Sequence, residues 1–228
     1  VRLLLIRHGQ TPSNVRGALD TGFPGPGLTP LGHAQAEAVP TALAHESPAA
    51  IYASPLVRTQ LTATPLAEAL GLSLRVQPGL EEIAAGALEM RSDDDAVQAY
   101  GRCLEAWMRG DLDQTMPEAP DGHAFAERFD AALGEIAGRH GSEDTVAVFS
   151  HGAAIRVYTA LRSDIDAEAA VELALMNTGM SVLNGDPRTG WALEAWRAEP
   201  LGGVELLDLA AHDVTGESAD DEAHEGEG

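Results

Sequence analysis

Lysine is absent from this 228-residue sequence, so all 14 of its basic side chains are arginines. That removes whole reaction classes. A Walker-type phosphate loop, a protein kinase, a pyridoxal enzyme and a Schiff-base aldolase each require a lysine amine. Cysteine is almost as scarce: Cys103 stands alone, which excludes an intramolecular disulfide and any four-cysteine zinc site. Apolar runs are short. None approaches the roughly 20 residues of a transmembrane helix, and the first, Leu3 to Ile6, is also too short for a signal peptide. A soluble, cytoplasmic protein is the expectation. Positive charge is in deficit, with a formal net charge of -22. Nucleic acid and anionic membrane are thereby excluded as partners, since both need a basic footprint.

What is present reads as one α/β domain. Short β-rich runs recur at Arg2 to Ile6, Ala50 to Ser54, Leu74 to Gln77, Thr145 to Phe149, Met180 to Leu183 and Trp191 to Trp196, and most are separated by helical patterns. Pro30 to Ala44 carries Leu31, Ala34, Ala38 and Leu43 on one side, with Thr29 as N-cap and proline at the first helical position. Leu56 to Leu70 stops at Gly71, a helix-ending signal, and Asp93 to Met108 opens on three aspartates suited to a positive helix start. This alternation predicts a three-layer α/β/α sandwich on a mostly parallel central sheet, spanning residues 1–211. Pro24 to Gly27 and Met116 to Gly122 are expected as surface loops. Residues 212–228 form an acidic tail without large apolar residues and are expected to be disordered.

Three strand ends carry the chemistry. The first delivers Arg7 and His8, the second leads into Ser54-Pro55-Leu56-Val57-Arg58, and the fourth runs Phe149-Ser150-His151-Gly152. Parallel strands present their carboxyl ends on one edge, so two histidines and two arginines meet there as an anion pocket. A guanidinium suits phosphate because its planar fork donates two parallel hydrogen bonds and holds its charge. An imidazole beside such a pocket can attack phosphorus.

The sequence here resembles the histidine phosphatase superfamily, also called the phosphoglycerate mutase-like family. The resemblance is carried by IRHGQTPSN at Ile6 to Asn14, LTPLGHAQA at Leu28 to Ala36, SPLVRTQLTATPLAEALGL at Ser54 to Leu72, LEEIAAG at Leu80 to Gly86 and SHGAAIR at Ser150 to Arg156. It implies His8 as the nucleophile, with Arg7, Arg58 and His151 holding the transferred phosphoryl group. It further implies Asn14 and Gly152 at the phosphate pocket, and Glu82, four residues before Gly86, as general acid and base. Adjacent Glu81 is one residue out of register. His123 follows Pro120-Asp121-Gly122, where the family often carries a substrate-side Gly-Glu-Ser run, and is expected to face the pocket. The protonation states pull against each other: nearby arginines keep His8 neutral but tend to ionise Glu82.

The expected activity is hydrolysis of a small-molecule phosphomonoester through a phosphohistidine, with no cofactor and no metal. Two alternatives stand beside it. A phosphoglycerate mutase is the nearer one; an inactive phospho-ligand binder is the other, although it would usually have lost one of His8, Arg58, Glu82 or His151. The stretch Glu89 to Pro120 is acidic and holds only Arg91, Arg102 and Arg109, which favours a phosphatase over an enzyme for bisphosphates. The Trp-Glu-Gly usual in the family reads Leu88-Glu89-Met90 here. Assembly as a homodimer is compatible with the sequence. The remaining histidines, His33, His45, His140, His212 and His224, show no metal-ligand spacing. Cys103, Tyr100 and Met108 read as helix core, and Asp93 to Asp95 as a helix start.

Overall fold

A computed structural model describes residues 1–208 and 214–216. Six strands form one sheet: β1 (Arg2–Arg7), β2 (Ala50–Ala53), β3 (Leu74–Val76), β4 (Thr145–Ser150), β5 (Met180–Asp186) and β6 (Gly190–Arg197). Their order is β3-β2-β4-β1-β5-β6. The first four are mutually parallel; β5 runs antiparallel to β1, and β6, antiparallel to β5, returns to the direction of the first four. The helices are α1 (Pro12–Val15), α2 (Pro30–Ala42), α3 (Val57–Leu70), α4 (Asp94–Met108), α5 (Gly122–Ala137), α6 (Gly152–Arg162) and α7 (Ala167–Val171). The α/β/α sandwich expected from the sequence is the fold observed.

Alternation along β1 and β4 builds a core on each face of the sheet. Leu3, Leu5, Val146 and Val148 point to one side, against Tyr100 and Trp107 of α4, Phe125 and Phe129 of α5, and Ile155 of α6. Leu4, Ile6, Ala147 and Phe149 point to the other, against Val39 of α2 and Ala63 and Leu66 of α3. A strand buried on both faces is the near-continuous apolar run that the sequence shows at Leu3 to Ile6. The expected caps also form: Thr29 accepts from Gly32 N–H, Asp93 from Ala96 N–H, and Gly71 closes α3 with a left-handed φ of 65°.

The topology fixes where a ligand can sit. From β1 the chain passes to β2 with α2 on one face; from β4 it leaves through α6 on the opposite face and reaches β5 on the far side of β1. Neighbouring β1 and β4 therefore send their connections in opposite directions, and a crevice opens at their carboxyl ends. Arg7 pairs with Ser150 in the register, so the next residues, His8 and His151, emerge side by side.

Candidate active site

The His8 and His151 rings meet edge to face, with centroids 5.3 Å apart. His8 Nδ1 lies 2.8 Å from the Gly9 carbonyl. A carbonyl can only accept, so Nδ1 carries the proton and Nε2 keeps its lone pair. Burial, reinforced by the charges of Arg58 and Arg7, holds the His8 imidazole well below its ordinary pKa. The backbone around the ring is anchored from three sides. His8 N–H donates to Ser150 O, Gly9 N–H to Thr62 Oγ1, and Asn177 Nδ2 to His8 O. Gly9 is required by close approach, because a Cβ there would stand 2.6 Å from the Gly32 carbonyl oxygen.

His151 Nε2 contacts Ser54 Oγ at 2.8 Å, and Ser54 Oγ also accepts from Leu56 N–H. With the serine proton directed at Nε2, His151 Nδ1 carries its own hydrogen. Among the described residues that buried nitrogen has no hydrogen-bond partner, nor does Arg58 Nη1. Both are donors suited to an anion. Burial and Arg58 keep His151 well below the ordinary imidazole value. Arg58 sits in the first turn of α3 and is held by donating from Nη2 to Asp20 O at 3.0 Å. Arg7 is fully buried; its Nη1 donates to Leu175 O and its Nη2 to Thr215 Oγ1, at 2.7 and 2.8 Å.

Glu82 lies against the start of α6. One carboxylate oxygen accepts from Ile83 and Ala154 N–H, both at 2.8 Å, and the other accepts from Ala153 N–H at 3.2 Å. Burial raises its pKa, and this outweighs the opposing pull of those N–H groups and of Arg58 and Arg7. Desolvation thus acts on both partners, pushing the imidazole toward its neutral form and the Glu82 carboxyl toward its protonated one. That pairing can supply a nucleophile and an acid to the same ester.

Residues 3–199 match the histidine phosphatase superfamily (branch 1). The chain belongs to that superfamily. It is 36% identical to the PE-PGRS family protein PE_PGRS11 of Mycobacterium tuberculosis over 216 residues, which cover 88% of this chain but only 37% of that protein. With the probable phosphoglycerate mutase GpmB of Yersinia pestis it shares 28% identity over 213 residues, 93% of this chain and 98% of the relative. Among solved structures, a mycobacterial glucosyl-3-phosphoglycerate phosphatase superposes with a TM-score of 0.73 at 25% identity, covering 87% of this chain and 99% of that one. A putative alpha-ribazole-5'-P phosphatase from Escherichia coli gives 0.68 at 26% identity, with 89% and 100% covered.

Of the positions that the superfamily resemblance singles out, Arg7, His8, Arg58, Glu82, His151 and Gly152 gather at the crevice. Asn14 is close by but occupied: its Oδ1 accepts from Thr11 N–H in a capping box on α1, and stands 3.5 Å from Asn177 Nδ2. His123 departs from expectation. It is exposed, and its Nε2 lies 3.1 Å from Asp113 Oδ1. Asp121 caps α5, and this phase of the helix places Asp121 and Ala124 on the rim of a cavity beside Glu82 and leaves His123 in solvent. Among the described residues no cluster of metal-ligand side chains occurs, and no helix is long and apolar enough to cross a membrane.

Four contributors escape a reading of the sequence. Thr62 and Asn177 hold the His8 backbone, and Ser54 orients His151. Only Ser54 had a local signal, its place directly after a strand. The fourth is Thr215, inside the acidic tail that was expected to be loose. Tail residues 212–213 and 217–228 lie outside the described residues, but Val214 to Gly216 do not hang free. Gly216 O accepts from Leu175 N–H at 2.7 Å, Val214 packs on the core, and a Cβ on Gly152 would stand 2.4 Å from Thr215 O.

Proposed function

We propose that this chain is a phosphomonoester hydrolase that works through a phosphohistidine on His8. The observation that carries the reading is the tie from His8 Nδ1 to the Gly9 carbonyl in a site that keeps the ring neutral, because it presents a lone pair on Nε2 beside buried guanidinium groups. Nε2 attacks phosphorus in line, the phosphorus–oxygen bond to the alcohol breaks, and the departing oxygen takes the Glu82 proton. Water then attacks the phosphorus while Glu82 accepts its proton; the phosphorus–nitrogen bond breaks and phosphate leaves. Arg7, Arg58 and His151 stabilise the charge on the transferred group in both steps. The names of the two structural neighbours, both phosphatases, support hydrolysis.

One observation favours a mutase, the likeness to GpmB along nearly its whole length. Against it stands the charge of residues 89–120. Arg91 is bound to Asp93, and Arg109 to Glu105 and Glu168, leaving little for a second phosphate. Brief exposure to a ³²P-labelled phosphomonoester tests the reading. Acid-labile, base-stable label on the wild-type chain, absent from His8→Ala, is the expected result; label persisting in His8→Ala overturns the nucleophile. Isomerisation of 3-phosphoglycerate with a bisphosphate primer, in place of phosphate release, would convert the reading to a mutase.

A further inference from the structure

A cavity of about 490 Å³ lies beside Glu82, under α4 and α5. Trp107 and Phe125 form its apolar wall, stacked at 5.9 Å with 17° between their planes. The indole N–H is already donated to Gln114 O. The ionisable members of the lining are Glu81, Glu82, Asp121 and Arg128. Arg128 is turned into the protein: Nη1 donates to Gly79 O, Glu81 O and Glu81 Oε2, and Nη2 to Glu82 O, at 2.9 to 3.3 Å. Asp121 stands at the cavity edge, its Oδ1 accepting from Ala124 N–H.

One place on this rim is built to hold an anion, and the protein fills it. The backbone N–H groups of Thr21 and Gly22 both donate to Glu89 Oε1, at 2.8 and 2.9 Å, and the Thr21 hydroxyl donates to Glu89 Oε2. Adjacent N–H groups converging this way form an anion-binding concavity. Glu89 is the one residue that Leu88-Glu89-Met90 keeps from the usual Trp-Glu-Gly, and its carboxylate occupies donors that could otherwise receive a substrate carboxylate or second phosphate.

We infer that this cavity receives the leaving alcohol and selects an uncharged one with an apolar face, excluding alcohols that carry a carboxylate or a second phosphate. The inference rests on the hydrolase reading for the word "leaving", since Glu82 must protonate that oxygen. The selection itself follows from the wall: an aromatic surface rewards an apolar ring, the arginine of the lining is engaged by Glu81, and the Asp121 carboxylate repels negative charge.

A matched pair of esters tests it: 4-carbamoylphenyl phosphate and 4-carboxyphenyl phosphate, alike in shape and differing in charge. Wild-type kcat/KM should favour the carbamoyl ester by about tenfold. Asp121→Asn should shrink that preference to roughly a third, because asparagine caps a helix as well as aspartate while removing the charge; Asp121→Ser serves as a second capping replacement. The same two esters are titrated against His8→Ala by calorimetry, where no turnover is needed. Equal or better use of the carboxy ester, or a preference untouched by both Asp121 variants, overturns the inference. Preferential binding of the carbamoyl ester to His8→Ala with no turnover by the wild type would sink the hydrolase reading and leave the cavity's selectivity standing.

Discussion

Arg7 and Arg58 are buried at the crevice where β1 and β4 end, whereas Glu81 and Asp121 line a cavity beside Glu82 whose arginine is engaged by Glu81. The first region is assembled from strand ends and the start of a helix, where the backbone leaves little freedom. The second is assembled from helix side chains and a loop. Positive charge is thus concentrated where a phosphoryl group would be held, and withheld a few residues away. A chain with formal charge -22 can still bind a dianion if its cations are placed locally, since screening limits distant charge to about 8 Å at physiological salt.

The contrast is broken or sharpened most strongly at Glu82, which belongs to both regions. Glu82→Gln cannot donate a proton, so hydrolysis of an alkyl phosphate should fall by about 10²–10⁴-fold. With 4-nitrophenyl phosphate, whose leaving group needs no proton, a fast burst of nitrophenolate equal to the enzyme concentration should survive and then stall for want of a base. A burst slowed as much as the alkyl reaction would remove Glu82 from the acid role. The pH profile of the wild type follows from the two shifts. Activity appears as pH rises through the depressed His8 value and the nucleophile loses its proton; it declines as pH rises through the elevated Glu82 value and the acid loses its own. In Glu82→Gln the alkaline limb should vanish.

Arg58→Ala comes next. Loss of one buried charge donor should lower kcat by about 10²–10³-fold, read at saturating substrate. An effect confined to KM would mean that Arg58 binds ground state and transition state alike. The smallest effect is expected at Thr215. Thr215→Val removes the hydroxyl that accepts from Arg7 Nη2 and makes that donor available to phosphate. Inhibition by inorganic phosphate should tighten roughly threefold, the scale of one hydrogen bond, with kcat little changed. Weaker inhibition would show instead that the hydroxyl holds Arg7 in its working position.

The regions also differ in how far they could be read from sequence. All six strands were legible because apolar runs bounded by turn residues survive the loss of context, and the strand-end positions of Arg7, His8, Arg58 and His151 followed from parallel topology alone. Helix α5 is harder to read: Phe125, Phe129, Leu133 and Ile136 recur at helical spacing, but the loop signal of Met116 to Gly122 runs over the Asp121 cap that starts the helix. The reversed direction of β5 depends on how its connection crosses the sheet, which no local pattern encodes. His123 was misplaced for a related reason: the direction of its side chain is set by where α5 begins. Thr215 was beyond reach, since its partner lies 208 positions away in the chain.

The bond from His8 Nδ1 to the Gly9 carbonyl has a regiochemical consequence. Phosphohistidine exists as two positional isomers, one for each ring nitrogen. Because Gly9 directly follows His8 in the chain, one isomer is blocked by the loop that carries the ring, and any phosphate that rode on His8 would do so on Nε2 alone.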